Sequence, residues 1–272
     1  MNFSDYEQLS GVNWSTLKAL RESPLHYRWA LEHPREETPA LAFGRAVHCA
    51  VLEPDEFFRK YVLRPEGLDR RTKAGKERLE SFALASAGKT ILSSEDYARC
   101  LAIREAVRLH PAARELLSEG QAEHTLQWED TETGIACKGR PDWLSRSALV
   151  DLKTTRSADK RRFCASAHTY SYAGQIAFYL RGIQALFGYR LPAVVIAVES
   201  AGPHDVGCFR VPPEALEQGD DEVSRHLTTL AHCRETGVWP GRYPDEQELE
   251  LPAYAYDGGE LLVSVDGSEQ AA

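Results

Sequence analysis

The chain has 272 residues, 43% of them hydrophobic, enough to bury a substantial core in one large domain or two small ones. No window approaches the roughly 18 apolar residues of a membrane span, and the opening Met-Asn-Phe-Ser-Asp-Tyr-Glu lacks a basic run followed by an apolar stretch, so a soluble cytoplasmic protein is expected, with no membrane partner. A formal net charge of -9 excludes bulk attraction to nucleic acid; any phosphate contact must be local.

Trp14, Leu17, Leu20, Leu25 and Trp29 fall at helical spacings, and Pro24 starts a second helix, which predicts a helical hairpin. A further helix runs from Pro39 to Leu52 with Phe43, Val47, Ala50 and Val51 on one face and His48 off the centre of that stripe; Pro54 closes it. Helices over 72–87 and 94–109 follow, the second opened by Ser93 with Asp96 in capping-box spacing and closed before Pro111. Residues 1–118 therefore read as helical.

The texture then changes. Glu123 to Glu129 alternates as a strand, Asp130 to Gly134 turns, and Ile135 to Arg140 returns, which makes a hairpin. Ala148 to Lys153 forms a third strand, and a helix over 169–187 buries Ala173, Ile176, Leu180, Ile183 and Phe187. Ala193 to Glu199 is a continuous apolar run of the kind buried on both faces, Val206 to Val211 a fifth strand, and 213–236 a helix. The acidic tail from Asp245 is loosely ordered towards its end. A helical part feeding a β-β-β-α-β-β unit is a mixed α/β arrangement.

Six dispersed cysteines (Cys49, Cys100, Cys137, Cys164, Cys208 and Cys233) offer no C-x-x-C pair, and read as reduced, mostly buried small hydrophobes. Two basic clusters could supply local phosphate contacts: Arg70, Arg71, Lys73, Lys76 and Arg78, and then Arg156, Lys160, Arg161 and Arg162. Either cluster alone reads first as a solvated helix or loop face.

The chemistry concentrates between residues 142 and 153. Asp142 ends the second strand; Asp151 and Lys153, two apart on the third, project from one face of the sheet. Charges flanked by Leu149, Val150 and Leu152 are costly to bury unless they bind something. A hard divalent cation wants converging oxygens. Asp142 and Asp151 are the expected ligands, with the Leu152 carbonyl adding another oxygen. Lys153 would orient or deprotonate an attacking water.

Gly139-Arg-Pro-Asp142 followed by Asp151-Leu-Lys153-Thr-Thr resembles the P-D…(D/E)-x-K signature of the restriction-endonuclease-like superfamily. An ordered set surrounds it: Phe43-Gly-Arg-Ala-Val-His48, Glu123, and Tyr172-Ala-Gly-Gln175-Ile-Ala-Phe-Tyr179. This set is similar to the branch holding RecE-type exodeoxyribonuclease (exodeoxyribonuclease VIII) and, more distantly, lambda exonuclease. Trp14 to Pro24 resembles the opening helix of RecE-like nuclease domains.

The resemblance implies an α/β PD-(D/E)xK core, a mixed central β-sheet flanked by helices, with a helical N-terminal part. Residues 1–240 would form a single nuclease domain (1–118 helical, 119–240 catalytic) and 241–272 a tail. It adds His48, and with less weight Glu123, to the metal ligands, and places Gln175 and Tyr179 at the active site or the DNA backbone. It implies Mg²⁺, with Mn²⁺ as substitute, and 5′ to 3′ hydrolysis from double-stranded DNA ends. Its implied partners are a single-strand annealing or recombinase protein and further copies of the chain in a homo-oligomer. Two rivals stand beside it: a Cas4 or AddB-like nuclease with an iron–sulfur cluster, and a nuclease-fold protein that binds DNA ends or a partner without cutting.

Overall fold

The computed structural model describes residues 3–34, 36–65 and 71–252. Arg70 of the first basic cluster and the end of the tail, 253–272, lie outside the described residues. The N-terminal part comprises α1 (Phe3–Gln8), α2 (Trp14–Leu17), a 3-10 turn (Lys18–Arg21), α3 (Pro24–Glu32), α4 (Pro39–Leu52), α5 (Pro54–Lys60), β1 (Tyr61–Leu63), α6 (Lys73–Ala85), β2 (Thr90–Leu92), α7 (Ser94–Leu109) and α8 (Pro111–Leu116). It is therefore not wholly helical, because β1 and β2 pair in parallel as a small separate sheet. Pro54 closes α4 by starting α5 at once, since proline is well tolerated in a helix's first turn. The side chains of Ser23, Thr38, Thr72 and Ser93 accept early backbone N–H groups of α3, α4, α6 and α7.

The second part contains β3 (Gln121–Ala122), β4 (Leu126–Glu129), β5 (Ala136–Gly139), β6 (Trp143–Leu144), β7 (Leu149–Thr155), α9 (Lys160–Thr169), α10 (Tyr172–Phe187), β8 (Ala193–Glu199), β9 (Val206–Arg210) and α11 (Pro213–Thr236). A five-stranded mixed sheet runs β3-β6-β7-β8-β9, parallel only between β7 and β8. The hairpin of β4 and β5 forms its own sheet, so the neighbour of β7 is the short β6 rather than the hairpin's returning strand. Asp142 accordingly lies in the bend between β5 and β6, not at the end of a strand paired with β7.

Period-two alternation divides the core between the two faces of this sheet. Leu149 of β7 with Val195 and Ala197 of β8 packs against Ile176, Phe178 and Ile183 of α10 and Leu227 of α11. Val150, Leu152, Ile196 and Val198 face the other way, onto Ala46, Val47 and Ala50 of α4 and Ile103 of α7. Both faces of β8 are covered, as its unbroken apolar run requires.

Three apolar residues picked out by helical spacing are not buried. Leu25 and Trp29 are 51% and 59% exposed while Tyr27 is buried, because α3 turns Tyr27 inward to stack on Trp239. Phe187 is 44% exposed at the last turn of α10, where it stacks on Tyr189 instead. The expected helix over 169–187 begins at Tyr172, after Ser171 with its left-handed backbone (φ 54°, ψ 52°), and α9 before it is a separate helix that the sequence reading did not include. The bend between them is tied down by Ser171 Oγ donating to Glu222 (2.5 Å) and Arg21 donating to the Thr169 carbonyl (3.1 Å). All six cysteines are free; Cys100, Cys137 and Cys233 are buried, and Cys164 is exposed. Among the described residues no helix is long and apolar enough to cross a membrane.

Candidate active site

The site lies along the edge of β7 that β6 leaves open. β6 pairs only with Leu149 and Val150, so from Asp151 onward the β6 side of β7 has no strand neighbour. The unpaired Leu152 N–H donates to Asp142 Oδ2 at 2.7 Å, so the bend after β5 places a carboxylate where a strand would otherwise continue. An extended residue's N–H and C=O point to the same edge, so the Leu152 carbonyl faces this open edge as well.

His48 reaches this edge from α4 in the opposite layer: its Nδ1 lies 3.5 Å from Asp142 Oδ1. Glu123 arrives from the segment after β3, with its N–H donating to the Asp142 carbonyl at 2.9 Å. Its backbone is left-handed (φ 53°), unfavourable for a residue with a Cβ. Arg140 holds it there: Nε sits 3.1 Å from the Glu123 carbonyl oxygen and 2.8 Å from Oε2. One ligand atom from each of His48, Glu123 and Asp142 lies within 4.8 Å of the others, the spacing a single cation needs.

Asp151 and Lys153 project from the α10 face, as strand alternation requires. The ammonium of Lys153 is 2.7 Å from Asp151 Oδ2. Both Asp151 oxygens are buried without an aligned hydrogen bond, so the contact is an ion pair that leaves acceptor capacity unused. Lys153 Nζ also lies 5.0 Å from the Tyr172 ring centroid. One turn further along α10, Gln175 Nε2 donates to the Tyr179 hydroxyl at 3.1 Å. A Cβ on Gly139 would stand 2.9 Å from the Tyr179 ring, so the glycine before Arg140 is what lets β5 and α10 meet.

The site's charges act on one another strongly. Burial, reinforced by Asp142, pushes Glu123 up to about 7. Burial also lifts Asp151, to about 6, against the pull of Lys153. Burial would raise Asp142 too, but His48, Lys153 and the Leu152 N–H outweigh it and hold the carboxyl below its ordinary value. Burial would lower His48 and Lys153, yet Asp142 keeps the imidazole raised, and Asp151 with Asp142 keeps the ammonium raised. Tyr179 is pushed well up by burial and by both aspartates.

Of the residues singled out from the sequence, His48, Glu123 and Asp142 come together at this edge, with the Leu152 N–H on Asp142, while Asp151 and Lys153 pair on the α10 face and Gln175 meets Tyr179 along α10. Two groups carried no assigned role there. Arg140 stands inside the Gly-Arg-Pro-Asp run, and Tyr172 stands three residues before Gln175, one helical turn away. Those spacings were the available signals. The donors that converge, an imidazole nitrogen and two carboxylates, fit a divalent cation; Asp151, whose two oxygens lack aligned partners, is not among the three.

A family model described as a PDDEXK-like domain of unknown function (DUF3799) matches residues 13–248. No curated protein matches. Among solved structures, a candidate exonuclease from Eubacterium rectale is similar in fold at 14% identity and a TM-score of 0.54, with 93% of this chain and 99% of that one covered. An alkaline exonuclease from Laribacter hongkongensis also matches, at 14% identity and a TM-score of 0.29 over 71% of this chain and 96% of its own. So does a phage-related exonuclease from Haemophilus somnus, at 10% identity and a TM-score of 0.33 over 71% and 95%.

Proposed function

The chain belongs to the PDDEXK-like domain family DUF3799, and from that premise we propose that it is a metal-dependent DNA exonuclease hydrolysing phosphodiester bonds from duplex ends, 5′ to 3′. The observation that carries this reading is the convergence of His48, Glu123 and Asp142 within 4.8 Å, beside the Asp151–Lys153 pair. His48, Asp142, Asp151, the Leu152 carbonyl and Glu123 would hold Mg²⁺ or Mn²⁺. When bound, such an ion supplies Lewis acidity and a more acidic water.

The protein's own groups do the rest. Asp142, fixed by the Leu152 N–H, is preorganised and ionised, so no reorganisation is needed when a ligand arrives. Lys153, held charged by two aspartates, presents a cation to the non-bridging oxygens of a phosphate and orients the attacking water through an N–H donor. Arg140 offsets part of the charge that Glu123 brings, which allows a third acidic ligand in one buried space. Tyr179 stays protonated and serves as a hydrogen-bond donor whose hydroxyl is positioned by Gln175. Cleavage from one end, leaving a 3′ single strand, would suit recombination with an annealing or recombinase partner and a homo-oligomeric nuclease. The donor set does not favour the iron–sulfur alternative: among the described residues no three cysteines come together.

Digestion of linear duplex DNA beside a covalently closed circle tests the reading. Loss of the linear form alone, dependent on Mg²⁺, abolished by EDTA and reduced at least about a hundredfold in Asp151→Ala and Lys153→Ala, is expected. Wild-type protein that degrades neither form would replace the nuclease with a DNA-end-binding protein of the same fold.

A further inference from the structure

Beyond the metal edge, a row of aromatic rings leads from Lys153 to the surface. The Tyr172 ring lies 5.0 Å from Lys153 Nζ, and Tyr170 stacks on Tyr172 with centroids 6.0 Å apart and planes at 25°. Tyr172 is half-buried, whereas Tyr170 is 58% exposed. Burial does not explain an aromatic placed so openly at a helix end. The corner is also held rigidly: Ser171 is left-handed and bonded to Glu222, and Arg21 grips the Thr169 carbonyl.

Beside the tyrosines runs α9, the ten-residue helix from Lys160 to Thr169. Phe163 turns its inner face into the core, while Lys160, Arg161 and Arg162 are exposed. Among the described residues their side chains make no ion pair, in contrast to Arg181, which is paired with Asp130 and Asp220. From Arg162 to Tyr170 the helical rise is about 12 Å, several base rises of about 3.4 Å each. In a chain of net charge -9, a cationic helix without ion pairs leading to a stacked tyrosine pair whose inner ring lies 5.0 Å from the candidate catalytic lysine is a local exception.

We infer that the Tyr170–Tyr172 pair and the exposed cations of α9 form a subsite for unpaired terminal nucleotides of a DNA strand, with Tyr170 as the base-stacking platform. The inference rests on the nuclease reading for its substrate class. Stacking tolerates any base because every base presents a π face, and the cations follow the backbone phosphates. A blunt duplex keeps its terminal bases stacked on one another and so cannot use Tyr170 without fraying. The subsite therefore selects frayed or single-stranded termini and delivers the adjoining phosphate to Lys153.

Binding of a labelled single-stranded oligonucleotide and of a blunt duplex, both in EDTA so that cleavage plays no part, tests the subsite in the full chain. Tyr170→Ala should weaken single-strand binding roughly five- to a hundredfold, Tyr170→Phe should retain it, and Arg161→Ala with Arg162→Ala should weaken it and flatten its salt dependence. Tyr189→Ala, an exposed aromatic beyond the far end of α10, should change nothing. A terminal 2-aminopurine should be quenched by the wild type and not by Tyr170→Ala. Equal binding by Tyr170→Ala and wild type, or an equal loss in Tyr189→Ala, would overturn the subsite. Tyr170-dependent binding in a protein that cuts no DNA would retain the subsite and remove the nuclease reading; cleavage with Tyr170-independent binding would do the reverse.

Discussion

Asp151 is the residue whose environment conflicts most with its charge. It is buried at 1% exposure in the apolar centre of β7, with no aligned hydrogen bond on either oxygen. A buried carboxylate with unused acceptor capacity lowers stability, so Asp151→Asn should leave the melting temperature of the metal-free protein unchanged or higher while removing cleavage. Thermal melts beside the digestion assay check this, and a large fall in melting temperature would show that the ion pair with Lys153 is structural. The raised groups imply a matching pH dependence. Asp151 at about 6 and Glu123 at about 7 lie above their ordinary values, and His48 is raised as well. Groups raised on folding contribute stability that is complete below the unfolded value and is lost as pH rises through the folded one. The metal-free protein should therefore lose stability between about pH 5 and pH 8. Added Mg²⁺ should reverse the trend, because it binds the deprotonated ligands; melts at pH 5 and 8 with and without the ion decide it.

At the scale of elements, α10 carries Tyr172, Gln175 and Tyr179, so its placement governs that side of the site. Two glycines set it. A Cβ on Gly219 of α11 would stand 2.5 Å from the Ala173 carbonyl oxygen of α10, and one on Gly174 would meet the Trp14 ring at 2.5 Å. Backbone cannot yield as a flexible side chain does, so Gly219→Ala should cost about 1–3 kcal/mol. Urea denaturation measures that loss, and the accompanying shift of α10 should lower cleavage beyond what unfolding alone accounts for. The hairpin of β4 and β5 is anchored in turn by the chain's beginning: Lys138 Nζ donates to the carbonyls of Tyr6, Glu7 and Leu9 at 3.2, 3.0 and 2.7 Å, and Val12 bridges to Cys137. This satisfies a buried ammonium and fixes the bend from which Asp142 projects.

For the whole molecule, the electrostatic balance governs how DNA is held. With a net charge of -9, long-range attraction is absent, and affinity must come from a few cations near the site. If α9 supplies about three phosphate contacts, the slope of log K against log salt should be near -2 to -3, far shallower than that of a basic DNA-binding protein. Titration of an oligonucleotide between low and physiological salt measures the slope; a value near -8 would place a much larger cationic surface in contact.

Much of this arrangement was legible in the residue order. Unbroken apolar runs and period-two alternation marked β7 and β8, a leading proline marked α3, a capping serine marked α7, and Asp151 with Lys153 had to share a face because the strand period is two. What neighbours each strand was not legible. The pattern of Ile135 to Arg140 specifies a strand but not its partner, and only tertiary packing separated the hairpin from β7 and inserted β6. Nor could periodicity show that His48 crosses from the opposite layer, that Arg140 holds Glu123, or that a separate helix, α9, precedes α10 across the bend at Ser171. Local order determines periodicity, caps and which face a side chain takes, since these are decided within a few residues. The convergence of four separate segments on the open edge of β7 depends on long-range pairing, which only the folded packing of both layers decides.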